Sequence, residues 1–205
     1  MTILYIVLGV IGIIVTVSLI WRRDALPCPS WLAWMVEMDN PFTEVNRART
    51  IVGLLELSPD MKVLDAGCGP GRLTLPLAET VGPQGEVTAL DIQDKMLDRV
   101  RGKVNAAGLQ NVKYLQAGLG DRKLPQAYFD RAVLVTVLGE IPNQATAMKE
   151  IYDALKPGGI LSVTEVIFDP HFHRRETVLK VAQAAGFKEK SFFGKKLAYT
   201  MHLQK

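Results

Sequence analysis

Cysteine is scarce in this chain. Its 205 residues hold two, Cys28 and Cys68, and neither sits in a metal or disulfide spacing. That excludes a disulfide-stapled scaffold and is consistent with a reducing compartment. Excess charge of either sign is equally scarce: 24 Lys and Arg face 21 Asp and Glu, for a net charge of +3 that is dispersed along the sequence. No basic patch marks a nucleic-acid partner, so none is expected. Internal repeats are absent, and long apolar runs are absent with one exception at the N-terminus.

The exception spans residues 3–20, 18 positions without a charge, closed by Trp21-Arg22-Arg23. As a helix it would extend about 27 Å, close to the roughly 30 Å apolar thickness of a bilayer. Only Met1-Thr2 precede it, and bulky Leu19-Ile20-Trp21 end it. A cleaved signal peptide would carry positive charge before the run and small residues after it. Pro27 before Cys28 likewise argues against a lipoprotein cleavage site. Residues 1–23 are therefore expected to be a transmembrane anchor. Arg22 and Arg23 place the rest of the chain on the cytoplasmic side by the positive-inside rule.

Residues 24–40 read as a proline-broken linker followed by Trp31, Leu32, Trp34, Met35 and Met38 at helical spacing, with Ser30 as a possible N-cap. Two readings stand: an interfacial helix in the headgroup layer of the bilayer, or a first helix packed on the core of the following domain.

The chemistry concentrates in Val63-Leu64-Asp65-Ala66-Gly67-Cys68-Gly69-Pro70-Gly71-Arg72. An apolar strand ends here in an acid and a loop with glycine at every second position, and a helical pattern follows. Glycine tolerates positive φ and lets a ligand approach the backbone. A strand, glycine loop and helix mark the ligand crevice of an open α/β sheet. The dinucleotide fingerprint G-x-G-x-x-G is lacking, because Arg72 stands where its third glycine belongs. About 20 residues on, Glu86-Val87-Thr88-Ala89-Leu90-Asp91-Ile92 reads as a second strand ending in an acid, a spacing that suits recognition of a ribose.

The form Asp65-x-Gly67-x-Gly69-x-Gly71 with Asp91 resembles the first two motifs of the class I S-adenosylmethionine-dependent methyltransferases. The resemblance implies a loop backbone (Gly67, Cys68, Gly69, Gly71) wrapped around the methionine part of S-adenosylmethionine. It further implies that Asp65 orients the amino group, that Asp91 accepts both ribose hydroxyls and that Ile92 packs on adenine. Leu155-Lys156-Pro157-Gly158-Gly159 and Ala184-Ala185-Gly186-Phe187 look like two turns of the same family. The resemblance covers roughly residues 41–205, taken as the methyltransferase domain. Cytoplasmic S-adenosylmethionine agrees with the orientation read from Arg22 and Arg23.

Further elements follow the same plan: helices over 41–57, 73–81, 95–107, 143–155 and 176–185, and strands over 112–116, 131–138, 160–167, 187–193 and 198–204. The expected fold is α/β, a Rossmann-like, mostly parallel seven-stranded sheet with a C-terminal β-hairpin, preceded by one transmembrane helix. One departure stands out. Many relatives place an acid after the third strand to contact the adenine amino group, whereas Gly118 occupies that position and Asp121 lies three residues later. Either the loop bulges so that Asp121 reaches back, or the Gly118-Leu119 backbone makes the contact; the backbone is the favoured reading. Thr136, ending the fourth strand, completes the expected cofactor-binding set.

Methyl transfer from a sulfonium needs alignment above all, and a base where the acceptor carries a proton. Glu140 is the expected catalytic residue, with Glu165 or Asp169, beside His171 and His173, as alternatives. A helix-entrance role for Glu140 and a polar-loop role for the histidines compete with these, and no metal is expected. A domain without a large insertion, carried on an anchor, points to a membrane-borne acceptor. Phospholipid amines and quinones lead, followed by small hydrophobic thiols or phenols. A nicotinamide-dependent oxidoreductase and a non-catalytic membrane scaffold are the readings from other classes.

Overall fold

The computed structural model describes Tyr5, residues 27–39 and residues 43–205. The expected anchor, residues 1–23, lies outside the described residues apart from Tyr5. Among the described residues no helix is long and apolar enough to cross a membrane.

Seven strands form one sheet: β1 (Lys62–Ala66), β2 (Glu86–Asp91), β3 (Val112–Gln116), β4 (Phe129–Val135), β5 (Leu155–Val166), β6 (Lys188–Lys195) and β7 (Ala198–Gln204), in the order β3-β2-β1-β4-β5-β7-β6. The expected mostly parallel sheet is corrected to a mixed one. β1 to β5 pair in parallel, while β7 runs antiparallel to both β5 and β6. The reason is connection length: a tight turn at residues 195–198 lets β7 fold straight back between β5 and β6, with no crossover helix to turn it parallel.

Helices cover both faces because the central strands are apolar on both. On one face α2 (Ala48–Leu54) and α3 (Thr74–Val81) pack Ile51, Leu55, Leu77 and Val81 against Val63, Val87 and Val133. On the other, α5 (Gln144–Ala154) and α6 (Arg175–Ala185) bury Met148, Ile151, Val178 and Ala182 against Leu64, Leu134 and Leu161. Helix α4 (Asp94–Ala106) sets Leu97, Val100 and Val104 on Ala89.

Several boundaries differ from those expected. The helix expected over 41–57 is shorter: a 3₁₀ turn, Glu44–Asn46, precedes α2, and extended Arg47 separates them. Asp39 Oδ1 accepts the Ala48 N–H at 2.9 Å, so α2 starts where a carboxylate nine residues upstream caps it. Strand β4 stops at Val135, not at 138, because Thr136 turns left-handed (φ 54°) before a 3₁₀ turn at Leu138–Glu140. β5 starts at Leu155, earlier than expected, because Leu155 pairs with Phe129 ahead of a register shift.

The order of strands reverses between β1 and β4, which places a crevice at their carboxyl ends. A short helix, α1 (Ala33–Glu37), lies in the N-terminal segment that runs across this edge.

Candidate active site

The glycine loop after β1 is held from below. Gly67 and Cys68 donate their N–H groups to the Leu90 carbonyl at 2.8 and 2.9 Å, which locks the loop onto β2. Gly67, Gly69 and Gly71 all have positive φ (72°, 51° and 88°), where a side chain would be strained. A Cβ on Gly67 would lie 2.6 Å from Val137 Cγ2. The alternate glycines thus match a loop shape that only glycine permits.

Asp91 ends β2 within reach of that loop. Its Oδ2 accepts the Gly69 N–H at 2.9 Å and its Oδ1 the Gln93 N–H at 2.8 Å. Burial raises its pKa, and these backbone donors oppose the rise. Each oxygen keeps a further lone pair for a hydroxyl donor. Ile92, next in sequence, is 58% exposed at the crevice edge.

Asp65 is placed differently. It is 3% exposed and accepts the Thr74 hydroxyl at 2.6 Å, so it braces the start of α3. Burial lifts its pKa to about 6, against the opposing pull of Thr74 and Arg72. Cys68 turns its side chain into the apolar cluster on α4, and burial pushes its thiol far up. Its contribution to a ligand is therefore one of backbone shape.

The loop after β3 resolves the departure noted at Gly118. Asp121 folds back, and its Oδ2 accepts the Gly118 N–H at 2.8 Å. A carboxylate thus stands beside the position where the family places its acid, and the N–H favoured for the adenine contact is already engaged. Leu119 packs half-buried against the core. Glu150 of α5 fixes the same loop by accepting the N–H groups of Gly120 (2.5 Å) and Leu124 (3.0 Å). Nothing in the linear pattern separates Glu150 from a solvated helix acid.

Beyond β4 and β5 lies a cluster of carboxyls. Glu140 accepts a hydrogen bond from the Cys28 N–H, and burial together with Asp169 raises its pKa to about 8. Glu165, 1% exposed, accepts the His173 N–H at 2.9 Å and is raised to about 8, chiefly by burial. Asp169 accepts the His171 N–H at 2.6 Å and is raised for the same reason. Gly139 permits the packing, since a Cβ there would collide with the His171 carbonyl. His173 Nδ1 faces the His171 carbonyl at 2.8 Å, and its Nε2 faces Gln144 Nε2 at 2.9 Å, so the first nitrogen carries the hydrogen and the second accepts. Among the described residues no three potential ligands gather around a metal position. Thr136 sits between the two halves of the site, with its hydroxyl on the Val135 carbonyl.

Residues 27–39 form a strap over the glycine loop, which the sequence reading did not place. Gln93 Nε2 donates to the Cys28 carbonyl at 2.8 Å, and Arg99 Nη2 to the Ser30 carbonyl at 3.3 Å. Lys103 pairs with Glu37 and donates to the Pro70 carbonyl at 2.7 Å. Arg72, the residue that breaks the dinucleotide pattern, donates to the Asn46 carbonyl (2.6 Å) and to Asp39 (3.0 Å). Of the two readings offered for this segment, packing on the following domain is seen at Ala33, which is buried, while Trp31, Trp34 and Met38 face outward. A cavity of about 420 Å³ opens between strap and loop, and none of Asp65, Asp91 and Glu140 lines it.

Comparison with known proteins agrees with this geometry. Residues 63–159 match the family described as methyltransferase domain. The demethylmenaquinone methyltransferase of Geobacillus stearothermophilus is 35% identical over 112 residues, 55% of this chain and 48% of that protein. That of Lactococcus lactis is 34% identical over 113 residues, 55% of this chain and 44% of that protein. The chain thus spans about half the length of the curated relatives it matches. Among solved structures, a SAM-dependent methyltransferase from Aquifex aeolicus superposes with a TM-score of 0.78 at 20% identity, covering 87% of this chain and 99% of that one. An S-adenosylmethionine-dependent methyltransferase from Mesorhizobium loti gives 0.64 at 20% identity, covering 77% and 98%. These two show the fold, and the sequence match shows a methyltransferase domain over residues 63–159. This stretch thus forms a methyltransferase domain, and that family implies S-adenosylmethionine as the methyl donor.

Proposed function

We propose that this protein transfers the methyl group of S-adenosylmethionine to a lipid-soluble ring acceptor of the quinone class, while tethered to the cytoplasmic side of a membrane. The observation that carries the proposal is Asp91, a carboxylate fixed on the Gly69 N–H at the mouth of a crevice whose other side holds Glu140. S-adenosylmethionine supplies an activated sulfonium methyl when bound. Asp91 receives the ribose hydroxyls on its free lone pairs. The Gly67–Gly71 backbone receives the methionine part, with Asp65 holding the loop in place through Thr74. Ile92 covers one face of adenine, and Asp121, set on Gly118, accepts its amino group.

Glu140 acts on the acceptor. As a new carbon–methyl or heteroatom–methyl bond forms and the sulfur–methyl bond breaks, an acidic O–H on the acceptor loses its proton to the Glu140 carboxylate. A pKa near 8 suits that task near neutral pH. The quinone class rests on the names of the relatives, and the membrane tether on the uncharged run at 3–20 followed by Arg22 and Arg23.

The test is full-length protein in phosphatidylethanolamine vesicles carrying a reduced naphthoquinone, with tritiated S-adenosylmethionine. Label in the naphthoquinone fraction is the expected result. Label in phosphatidylethanolamine instead would move the acceptor to the phospholipid amine. No transfer, with donor binding intact by calorimetry, would leave a scaffold and refute the enzyme reading for these acceptors.

A further inference from the structure

Among the described residues, Tyr5 and Phe192 of β6 apart, the large apolar side chains left in solvent lie together. They gather at the carboxyl edge of the sheet, where the crevice opens, and they come from four separate segments. On one side, strap residues Trp31, Trp34 and Met38 stand outward at helical spacing, with Trp31 72% exposed, and Ile92 follows β2 beside them. On the other, Ile167 and Phe168 follow β5, and Phe168 is 68% exposed. Leu197 joins them, 58% exposed, because β7 runs antiparallel and so begins where β5 ends. The Ile167 N–H donates to the Leu197 carbonyl at 2.8 Å, which fixes the two segments as one lip.

The separation of the lips follows from the sheet. From β2 to β5 there are three strand spacings, through β1 and β4. At roughly 4.8 Å each, that puts Ile92 and Phe168 about 14 Å apart across the cleft mouth. An exposed patch that brackets a site in this way marks an interaction surface.

We infer that this edge docks onto a bilayer containing anionic lipids, its two apolar lips dipping into the interface so that an acceptor dissolved in the membrane enters the cleft from lipid. The inference rests on the tethered reading given above and goes beyond it. Two observations select a bilayer over other occupants. The uncharged run of residues 3–20 ends at Arg22-Arg23, and only three residues lie between Arg23 and Pro27, where the strap begins. The strap is thus held close to any membrane that the run enters, with its tryptophans at headgroup depth. In addition, Lys195 and Lys196 are exposed directly before Leu197, which gives the second lip cations for anionic headgroups.

The experiment uses the full chain reconstituted in phosphatidylcholine vesicles containing a quarter phosphatidylglycerol. A bimane label goes on Phe168→Cys, on Leu197→Cys, or on Gln110→Cys before β3 at the opposite edge; the unsubstituted chain, treated alike, corrects for Cys28 and Cys68. Quenching by dibrominated acyl chains should be several-fold stronger at 168 and 197 than at 110, with all three proteins floating with the vesicles. Flotation with equal, weak quenching at all three positions would overturn the docking edge while leaving the tether standing. Crosslinking between copies at 168 without quenching would assign the edge to a second copy and overturn it too. Loss of flotation would overturn the tether and the docking edge together. Phe168→Glu combined with Leu197→Glu should leave flotation and donor binding unchanged and lower methyl transfer to a long-chain acceptor several-fold relative to a water-soluble one. An unchanged ratio would overturn lipid-side entry.

Discussion

Replacing Gly67 by alanine tests the idea that the donor loop exists in one shape because its neighbours leave no other. Gly67 has φ of 72°, and the added Cβ would lie 2.6 Å from Val137 Cγ2 and 2.7 Å from Cγ1. A non-glycine residue in the left-handed region costs about 1–2 kcal/mol. Forcing a methyl into filled space costs about 1–3 kcal/mol more. Gly67→Ala should therefore lose about 2–5 kcal/mol, read from the urea midpoint at unchanged m. The steric part is separable. Val137→Ala removes both Cγ atoms and leaves Cβ, 3.2 Å from the new methyl, as the next contact. The double variant should regain the steric part, a favourable coupling of about 1–3 kcal/mol in a double-mutant cycle.

The same cycle reads function. Gly67 and Cys68 hang the loop on Leu90, and the loop in turn presents the Gly69 N–H to Asp91. Donor affinity, measured by calorimetry, should fall in Gly67→Ala and recover in part in the double variant. Strict additivity, with coupling within about 0.5 kcal/mol, would refute the reasoning, because distant or non-interacting sites behave that way.

Three further outcomes are expected. Asp91→Asn keeps the shape but removes the charge, so donor affinity should fall roughly ten- to hundredfold by calorimetry, the value of a charge-assisted hydrogen bond of about 1.5–3 kcal/mol; unchanged affinity would remove Asp91 from the ribose site. Arg72→Met cuts the bonds to Asn46 and Asp39, so amide exchange over 27–46 should speed up while β1 and β4 amides stay protected, and uniform protection would show that the strap does not depend on Arg72. Glu165 binds its proton more tightly folded (pKa about 8) than unfolded (about 4.5), so its contribution is full below pH 4.5 and is lost progressively as pH rises to 8, by several kcal/mol. Glu165→Gln should flatten that decline in a series of denaturation midpoints, and an unchanged slope would place the titration elsewhere.

What the sequence made legible was whatever lies within one strand–loop–helix unit. The glycine loop and Asp91 are short-range features: strand β1, the turn and α3 are contiguous, and β2 follows after one helix. The hairpin was equally local. What stayed hidden depends on contacts between distant residues. Arg72 stood out as a broken fingerprint, yet its purpose, bonding to Asn46 and Asp39, needs the strap folded over the loop. The apolar run at 131–138 gives no sign that Thr136 turns left-handed, because hydropathy is blind to φ. Asp121 was visible, but a three-residue return onto Gly118 is a matter of loop geometry that Glu150, 30 residues away from Gly120, enforces.

The two halves of the site differ in how they handle charge, and the difference bears on the acceptor. The donor half presents a carboxylate, Asp91, whose raised pKa is opposed by backbone N–H groups. The acceptor half collects Glu140, Glu165 and Asp169 close together; Asp169 raises the proton affinity of both glutamates, and Glu140 that of Glu165. Like charges so placed cannot all ionise at neutral pH, so the cluster holds protons and carries less than its formal charge. Under the function proposed above, a site of that kind suits an uncharged ring: it spares an apolar acceptor a wall of full negative charges and still offers a base of matched affinity at Glu140.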